Sequence, residues 1–326
     1  MDISEQAESL RKKAEEANST PVRVALFGQP GAGKSSIINA IVGEKIATVG
    51  SHTDTTVTEE KYTWNGLYFC DLPGYGTAKF PAETFFKRFD VLSFDIFLCV
   101  SSEKFTEADT AFWQKLKSEA RICIFVRNKI DSMFEEGKTR EELCEIVRRD
   151  IHRQTGGSEP VVFTSCVTKE GMAELNEAIM EALGGFKKIR FLRSAKAYTE
   201  EFLNKKREAC QNYALLAGGA VAVANAVPVP GVGFSADVTA LIALLTAIRM
   251  DFGLTEVKLQ AAEHIIPALG PVVKEIVTGI GRAGAMWMLK RFAGQAIAAE
   301  AVKYIPVVGQ LIASSISFLT IRMIVY

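Results

Sequence analysis

The chain has 326 residues, 48% hydrophobic and 23% charged, a composition that excludes a disordered polymer and is long enough for two cores. Its 38 Lys and Arg balance 38 Asp and Glu, which argues against a dedicated nucleic-acid binder. The balance is uneven, because Phe186 to Tyr326 carries 16 basic residues against 9 acidic ones, leaving a basic second part (+7) and an acidic first part (−7).

Ser4 to Ala17 has a charge-rich helical pattern with few apolar positions, and is expected to be a surface helix that docks weakly. The amino-terminal MDISEQAESLRKKAEEANST lacks an apolar signal core, Asp2 stands where myristoylation needs Gly, and the final RMIVY is no prenylation box. Membrane attachment is therefore expected to arise within the fold. From Pro21 the pattern changes to strand, turn and helix: VRVALFG is a strand run and KSSIINAIVG a helix. EEKYTWNGLYFCDL reads as a hairpin turning at Asn65-Gly66. FDIFLCV, RICIFVR and PVVFTS are three more buried strand runs separated by helical stretches. Such alternation implies a mostly parallel sheet covered by helices on both faces, ending near Gly185. The remainder, from Phe186, reads as all-helical. Three P-x-x-G breaks at Pro228, Pro267 and Pro306 mark helix boundaries there.

The six cysteines are scattered, with no C-x-x-C pair and no close histidine. They read as core thiols of a reducing compartment, not as zinc ligands.

Four motifs carry chemistry. GQPGAGKS, Gly28 to Ser35, fits G-x-x-x-x-G-K-S between a strand and a helix. Glycines there let backbone N–H groups approach phosphate oxygens, and the helix amino terminus adds a favourable dipole. Gly28, Gly31, Ala32, Gly33, Lys34, Ser35 and Ser36 are accordingly expected to hold phosphates, with Lys34 bridging the β- and γ-groups and Ser35 ligating Mg²⁺. DLPG begins at Asp71, placing its carboxylate to reach Mg²⁺ and the Gly74 N–H to meet the γ-phosphate. In NKID, Asp131 can accept from both N1–H and the 2-amino group of guanine, with Lys129 over the ring and Asn128 bracing the loop. Adenine offers no such donor pair. Ser165 and Cys166 of the TSC run sit where backbone N–H groups meet guanine O6. In this order the motifs predict a GTP- or GDP-binding domain of the P-loop GTPase type, with Mg²⁺. The threonine of the first switch is open among Thr55, Thr56 and Thr58. Spacing from Lys34 resembles the Era class and favours the Thr55-Thr56 pair, of which Thr56 is chosen as metal ligand and catalytic residue beside Lys34 and Gly74. Tyr75 occupies the position where many relatives carry a water-orienting glutamine.

DLPGYGTAKFP, FDIFLCVSSEKFTEADTAFWQKL, FVRNKIDS and VPVPGVGFSADVTALIALLTAIRMDFGL together resemble the immunity-related, interferon-inducible GTPases. The GKS form of the phosphate loop is similar to that family's effector branch. The resemblance implies a dynamin-like GTP hydrolase without the switch glutamine, its nucleotide domain flanked by helices from both chain ends. It also implies a GTP-dependent homodimer or oligomer formed through the nucleotide face, and a cytoplasmic protein acting on intracellular membranes in host defence. The domains are then 1–20 packing with the helical domain, 21–185 binding GTP, and 186–326 helical.

YALLAGGAVAVANAVPVPGVG and YIPVVGQLIASSISFLTIRMIVY are interrupted by Pro228/Pro230 and by Gln310 and Arg322, so buried hairpin helices are favoured over membrane spans. Lys187 to Arg207 carries eight Lys and Arg against two Glu, and reads equally as a solvated helix face or a contact for anionic lipid. GIGRAG at Gly279 fits G-x-G-x-x-G without flanking strands, and reads as a turn or close helix contact. Two rivals stand beside the GTP hydrolase. One is a nucleotide-gated scaffold with negligible hydrolysis. The other is an Era-type ribosome-assembly GTPase, disfavoured because the tail is apolar where an RNA-binding module would be basic; no DNA partner is expected.

Overall fold

The computed structural model describes residues 3–49, 60–157, 159–224, 242–244 and 246–254. It divides into two compact units, Pro21–Phe191 and a second made of residues 1–20 with 192–326. The division falls inside a helix, Gly185–Ser194, several residues beyond the limit expected at Gly185.

Pro21–Phe191 holds a six-stranded sheet of β1 (Val22–Phe27), β2 (Glu60–Trp64), β3 (Leu67–Asp71), β4 (Ile96–Ser101), β5 (Ile122–Arg127) and β6 (Val161–Phe163). Their order is β2-β3-β1-β4-β5-β6, and every neighbouring pair is parallel except the β2–β3 hairpin. That hairpin turns on Asn65 and Gly66, both at positive φ (42° and 80°), the backbone that lets a two-residue turn follow the strand twist. The central strands are apolar on both faces because helices cover both. On one face Phe27, Phe97 and Phe125 meet Phe112 and Trp113 of α4 (Glu107–Ser118) and Phe85 of α3 (Ala82–Arg88). Alternate residues Leu26, Leu98, Ile124 and Val126 are buried as well, as are Ile37 and Ile41 of α2 (Lys34–Val42) and Ile179 of α6 (Met172–Ala182). Each such side chain contributes about 1.5–3 kcal/mol. Helices α4 and α5 (Arg140–Thr155) each open with a capping box, Thr106/Asp109 and Thr139/Glu142. Strand β6 differs from expectation: it has three residues and is half-buried, because it forms the sheet edge.

Among the described residues of the other unit, all regular structure is helical: α1 (Ile3–Ser19), the end of α7 (Gly185–Ser194), α8 (Glu200–Ala224) and the helical residues 242–244 and 246–251. The expectation that α1 docks weakly is corrected. It packs along α8 and buries Ala14 and Ala17. Two alanines give little apolar signal, yet their small side chains let helices approach closely. The basic stretch is corrected too, since Arg190, Arg193 and Lys206 are buried, so it is no continuous solvated face. Arg193 Nε donates to Asp251 at 2.7 Å, its guanidinium lies 3.7 Å from the Tyr213 ring centre, and Lys206 Nζ donates to the Ala195 carbonyl at 2.7 Å. Four of the six cysteines are buried, while Cys144 and Cys166 are half-buried. No helix among the described residues is long and apolar enough to cross a membrane. The second apolar run, the three P-x-x-G breaks and GIGRAG lie outside the described residues.

Candidate functional site

The carboxyl ends of β1, β3, β5 and β6 deliver the four motifs to one edge of the sheet, where parallel α/β folds bind their ligands. At the first, the chain leaves β1 and wraps into α2 through Gly28, at φ 125°. A Cβ on Gly28 would stand 2.0 Å from the Val100 carbonyl oxygen, so only glycine fits against β4. Gly33 is the N-cap of α2 and supplies no side-chain cap, and the first helical bond is Ile37 N–H to Gly33 O at 2.9 Å. The amide donors of Lys34, Ser35 and Ser36 therefore have no acceptor within the helix, the arrangement that favours an anion. Ala32 is buried and donates to Gln29 O at 3.2 Å, closing the loop on itself, while Gly31 is exposed.

Lys34 is 9% exposed, and its Nζ reaches Gly28 O (3.0 Å), Gln29 O (3.3 Å) and Asp71 Oδ1 (3.6 Å). Asp71 ends β3, opposite Glu60 on β2. Burial pushes its carboxyl up to about 6 against the pull of Lys34, and Glu60 adds to the rise. Its Oδ1 is buried and accepts no hydrogen bond. A buried carboxylate oxygen without a donor, together with the half-buried Ser35 on the first turn of α2, is a hard-oxygen set suited to Mg²⁺. Gly74 is exposed beyond β3, and its carbonyl accepts from Thr77 Oγ1 at 3.3 Å. Thr55, Thr56 and Thr58 lie outside the described residues.

Tyr75 turns into the protein. Its ring meets Phe85 edge-on at 5.2 Å and Phe112 at 4.9 Å, which makes it part of the aromatic cluster beneath the switch.

Asn128 joins three loops. Its Nδ2 donates to Ala32 O of the phosphate loop at 2.9 Å, and its Oδ1 accepts from Thr164 Oγ1 at 3.2 Å and faces Cys166 Sγ at 3.6 Å. Its backbone N–H donates to Ser101 O, at the end of β4. Lys129 follows at φ 62°, a left-handed turn that leaves Lys129 and Asp131 exposed while Ile130 is buried. Ser165 departs from expectation, because its N–H already donates to Glu170 O at 2.9 Å. The Ser165 hydroxyl instead accepts from the Val167 and Thr168 N–H groups and shapes the turn that presents Cys166. Burial pushes the Cys166 thiol up to about 11, so it is neutral here. Two contributors escape sequence reading: Thr164, whose hydroxyl is spent on Asn128, and Gln29, whose Nε2 ties the phosphate loop to Lys104 O at 3.0 Å.

The family model for interferon-inducible GTPases (IIGP) matches residues 2–321. The chain belongs to that family. It is 27% identical over 260 residues to mouse (Mus musculus) interferon-gamma-inducible GTPase 10, covering 74% of this chain and 62% of the relative. Interferon-inducible GTPase 5 of Bos taurus is 27% identical over 350 residues, covering 98% of this chain and 75% of the relative. The chain thus spans a little under two thirds of the first relative's length. Among solved structures, Aquifex aeolicus Era bound to GDP·AlF₄⁻ is similar at a TM-score of 0.40 and 20% identity, over 65% of this chain and 69% of that one.

Proposed function

We propose that this family member binds GTP and hydrolyses it to GDP and phosphate. The observation that carries the reading is the buried Lys34–Asp71 pair, 3.6 Å apart, beside the uncapped start of α2. In this reading Lys34 bridges the β- and γ-phosphates, the amides of Gly31 and of Gly33 to Ser36 surround the phosphate oxygens, and the Gly74 N–H meets the γ-phosphate. Ser35, Asp71 and Thr56 hold Mg²⁺, which when bound neutralises phosphate charge. Asp131 accepts from guanine, Lys129 covers its ring and the Cys166 N–H faces O6. Water attacks the γ-phosphate in line with the bond to the leaving oxygen.

GTP-dependent self-association through the nucleotide face completes the proposal, because Tyr75 is engaged with Phe85 and Phe112 and no glutamine stands in its place. Two apolar side chains beside the base loops support such a contact: Phe134, three residues after Asp131, is 85% exposed, and Val167, next to Cys166, is 80% exposed. Residues 21–185 are assigned the nucleotide, and 1–20 with 186–326 a helical domain. The basic excess of the second part supports action at anionic intracellular membranes, reached from the cytoplasm, and the names of the relatives support a role in host defence.

Turnover per molecule should rise with protein concentration, and light scattering should report a larger particle with a non-hydrolysable GTP analogue than with GDP. A rate per molecule that stays flat removes the association. The engagement of Tyr75 also favours a second reading, a nucleotide-gated scaffold. Protein that stays loaded with GTP after a single mixing, under conditions that drive assembly, would select it.

A further inference from the structure

Beside the nucleotide site, and sharing none of the residues proposed to touch phosphate, base or Mg²⁺, a cavity of about 770 Å³ opens between the loop after β4 and helix α5. This is within the size range of small-molecule clefts. Part of its lining is apolar: Phe105 and Ile151 are buried, and Val147 packs against the aromatic cluster. The rest carries Lys104, Arg127, Arg149 and Arg153 against Glu103 and Asp150, a formal excess of two positive charges.

The acids do not use up the bases. Asp150 pairs with Arg153, and Arg149 reaches Glu145 at 3.7 Å. Arg127 donates through Nη1 to the Glu103 carbonyl, and its Nε is buried with no acceptor. Among the described residues no carboxylate comes within ion-pair distance of Lys104 or Arg127. Lys104 is exposed and Arg127 half-buried, so an anion in the cavity can meet positive charge that no carboxylate among the described residues balances at ion-pair distance.

We propose that this cavity binds a small amphiphilic anion, a molecule carrying one phosphate or carboxylate group on an apolar body. The anionic group meets Lys104 and Arg127, and the apolar body covers Phe105, Val147 and Ile151. A bare phosphate would leave the apolar lining wet, and a neutral ligand would leave the positive excess of the lining unbalanced.

Isothermal titration calorimetry on the full GDP-loaded chain tests this with hexyl phosphate, inorganic phosphate and hexanol. Hexyl phosphate should fill one site about tenfold more tightly than inorganic phosphate, without displacing GDP, and hexanol should give no saturable signal. Lys104→Glu and Arg149→Glu lie on exposed positions and should keep the fold, and together they should weaken hexyl phosphate about tenfold. Arg127→Gln should abolish the signal; where it unfolds the protein, the exposed pair decides. Absence of saturable hexyl phosphate binding, displacement of GDP, or affinity unchanged in the exposed double variant would overturn the proposal. Phosphatidic acid vesicles form a separate arm. Vesicle binding lost in the double variant assigns the anion to a lipid headgroup, and hexyl phosphate binding without vesicle binding assigns it to a free molecule.

Discussion

Replacing Asn128 with alanine takes the partners of Ala32 O and the Thr164 hydroxyl away in one step, leaving buried polar groups unpaired at a cost of about 2–4 kcal/mol. The expected result is a lower melting temperature together with weaker GDP binding, by about tenfold or more, in calorimetry. Asp131 is exposed and makes no structural bond of that kind, so Asp131→Asn should leave stability unchanged. It should instead change the base that is read. An amide offers one donor and one acceptor, which suits the N1–H and C2 carbonyl of xanthine better than the two donors of guanine. Competition between GDP and xanthosine diphosphate measures the switch. Tyr75→Ala removes a ring from between Phe85 and Phe112 and should cost about 1–3 kcal/mol of stability while GTP affinity stays near its original value. In fully assembled protein, a total loss of turnover in that variant would give Tyr75 a chemical role after all.

At the scale of elements, legibility follows the range of the interaction. The phosphate loop reads directly from its letters because its demands are local: Gly28 must face the Val100 carbonyl without a Cβ, and a helix must start at Lys34 without a side-chain cap. The hairpin at Asn65-Gly66 is legible for the same reason. The bonds of Asn128 are not, because their partners lie 96 and 36 positions away in the chain. The stretch from Lys187 to Arg207 misleads more strongly. Its charges read as surface, yet Arg193 is fully buried against Asp251, 58 positions on, and Lys206 is buried against the Ala195 carbonyl. Burial pulls the Lys206 ammonium down to about 8 from 10.5. Below pH 8 the folded protein therefore carries a buried charge that the unfolded chain holds at no cost. Between the two values the unfolded state binds more protons, so this contribution to stability improves as pH rises, by up to about 3 kcal/mol. A Lys206→Met variant lacks that charge, and the melting-temperature difference between it and the parent should shift in favour of the parent from pH 8 to 10.5.

For the molecule as a whole, the division between an acidic first part and a basic second part predicts unequal salt responses for two measurements. Sedimentation with anionic vesicles should fall steeply between low and physiological salt, as screening shortens the reach of surface charge to about 8–10 Å. GTP-driven association, if anchored on apolar groups such as Phe134 and Val167, should be far less affected. Light scattering and vesicle sedimentation over the same salt series separate the two.

The linkage through Asn128 bears on timing. A nucleotide held by loops that moved independently could let go of its base first and its phosphates later, passing through half-bound states. Here the amide that braces the base loop also holds the phosphate loop at Ala32 and the third loop at Thr164. In the proposed nucleotide complex, loosening any one of them strains the other two, so release of the nucleotide is expected as a single concerted event, which stopped-flow release of a fluorescent GDP analogue would report as one exponential phase.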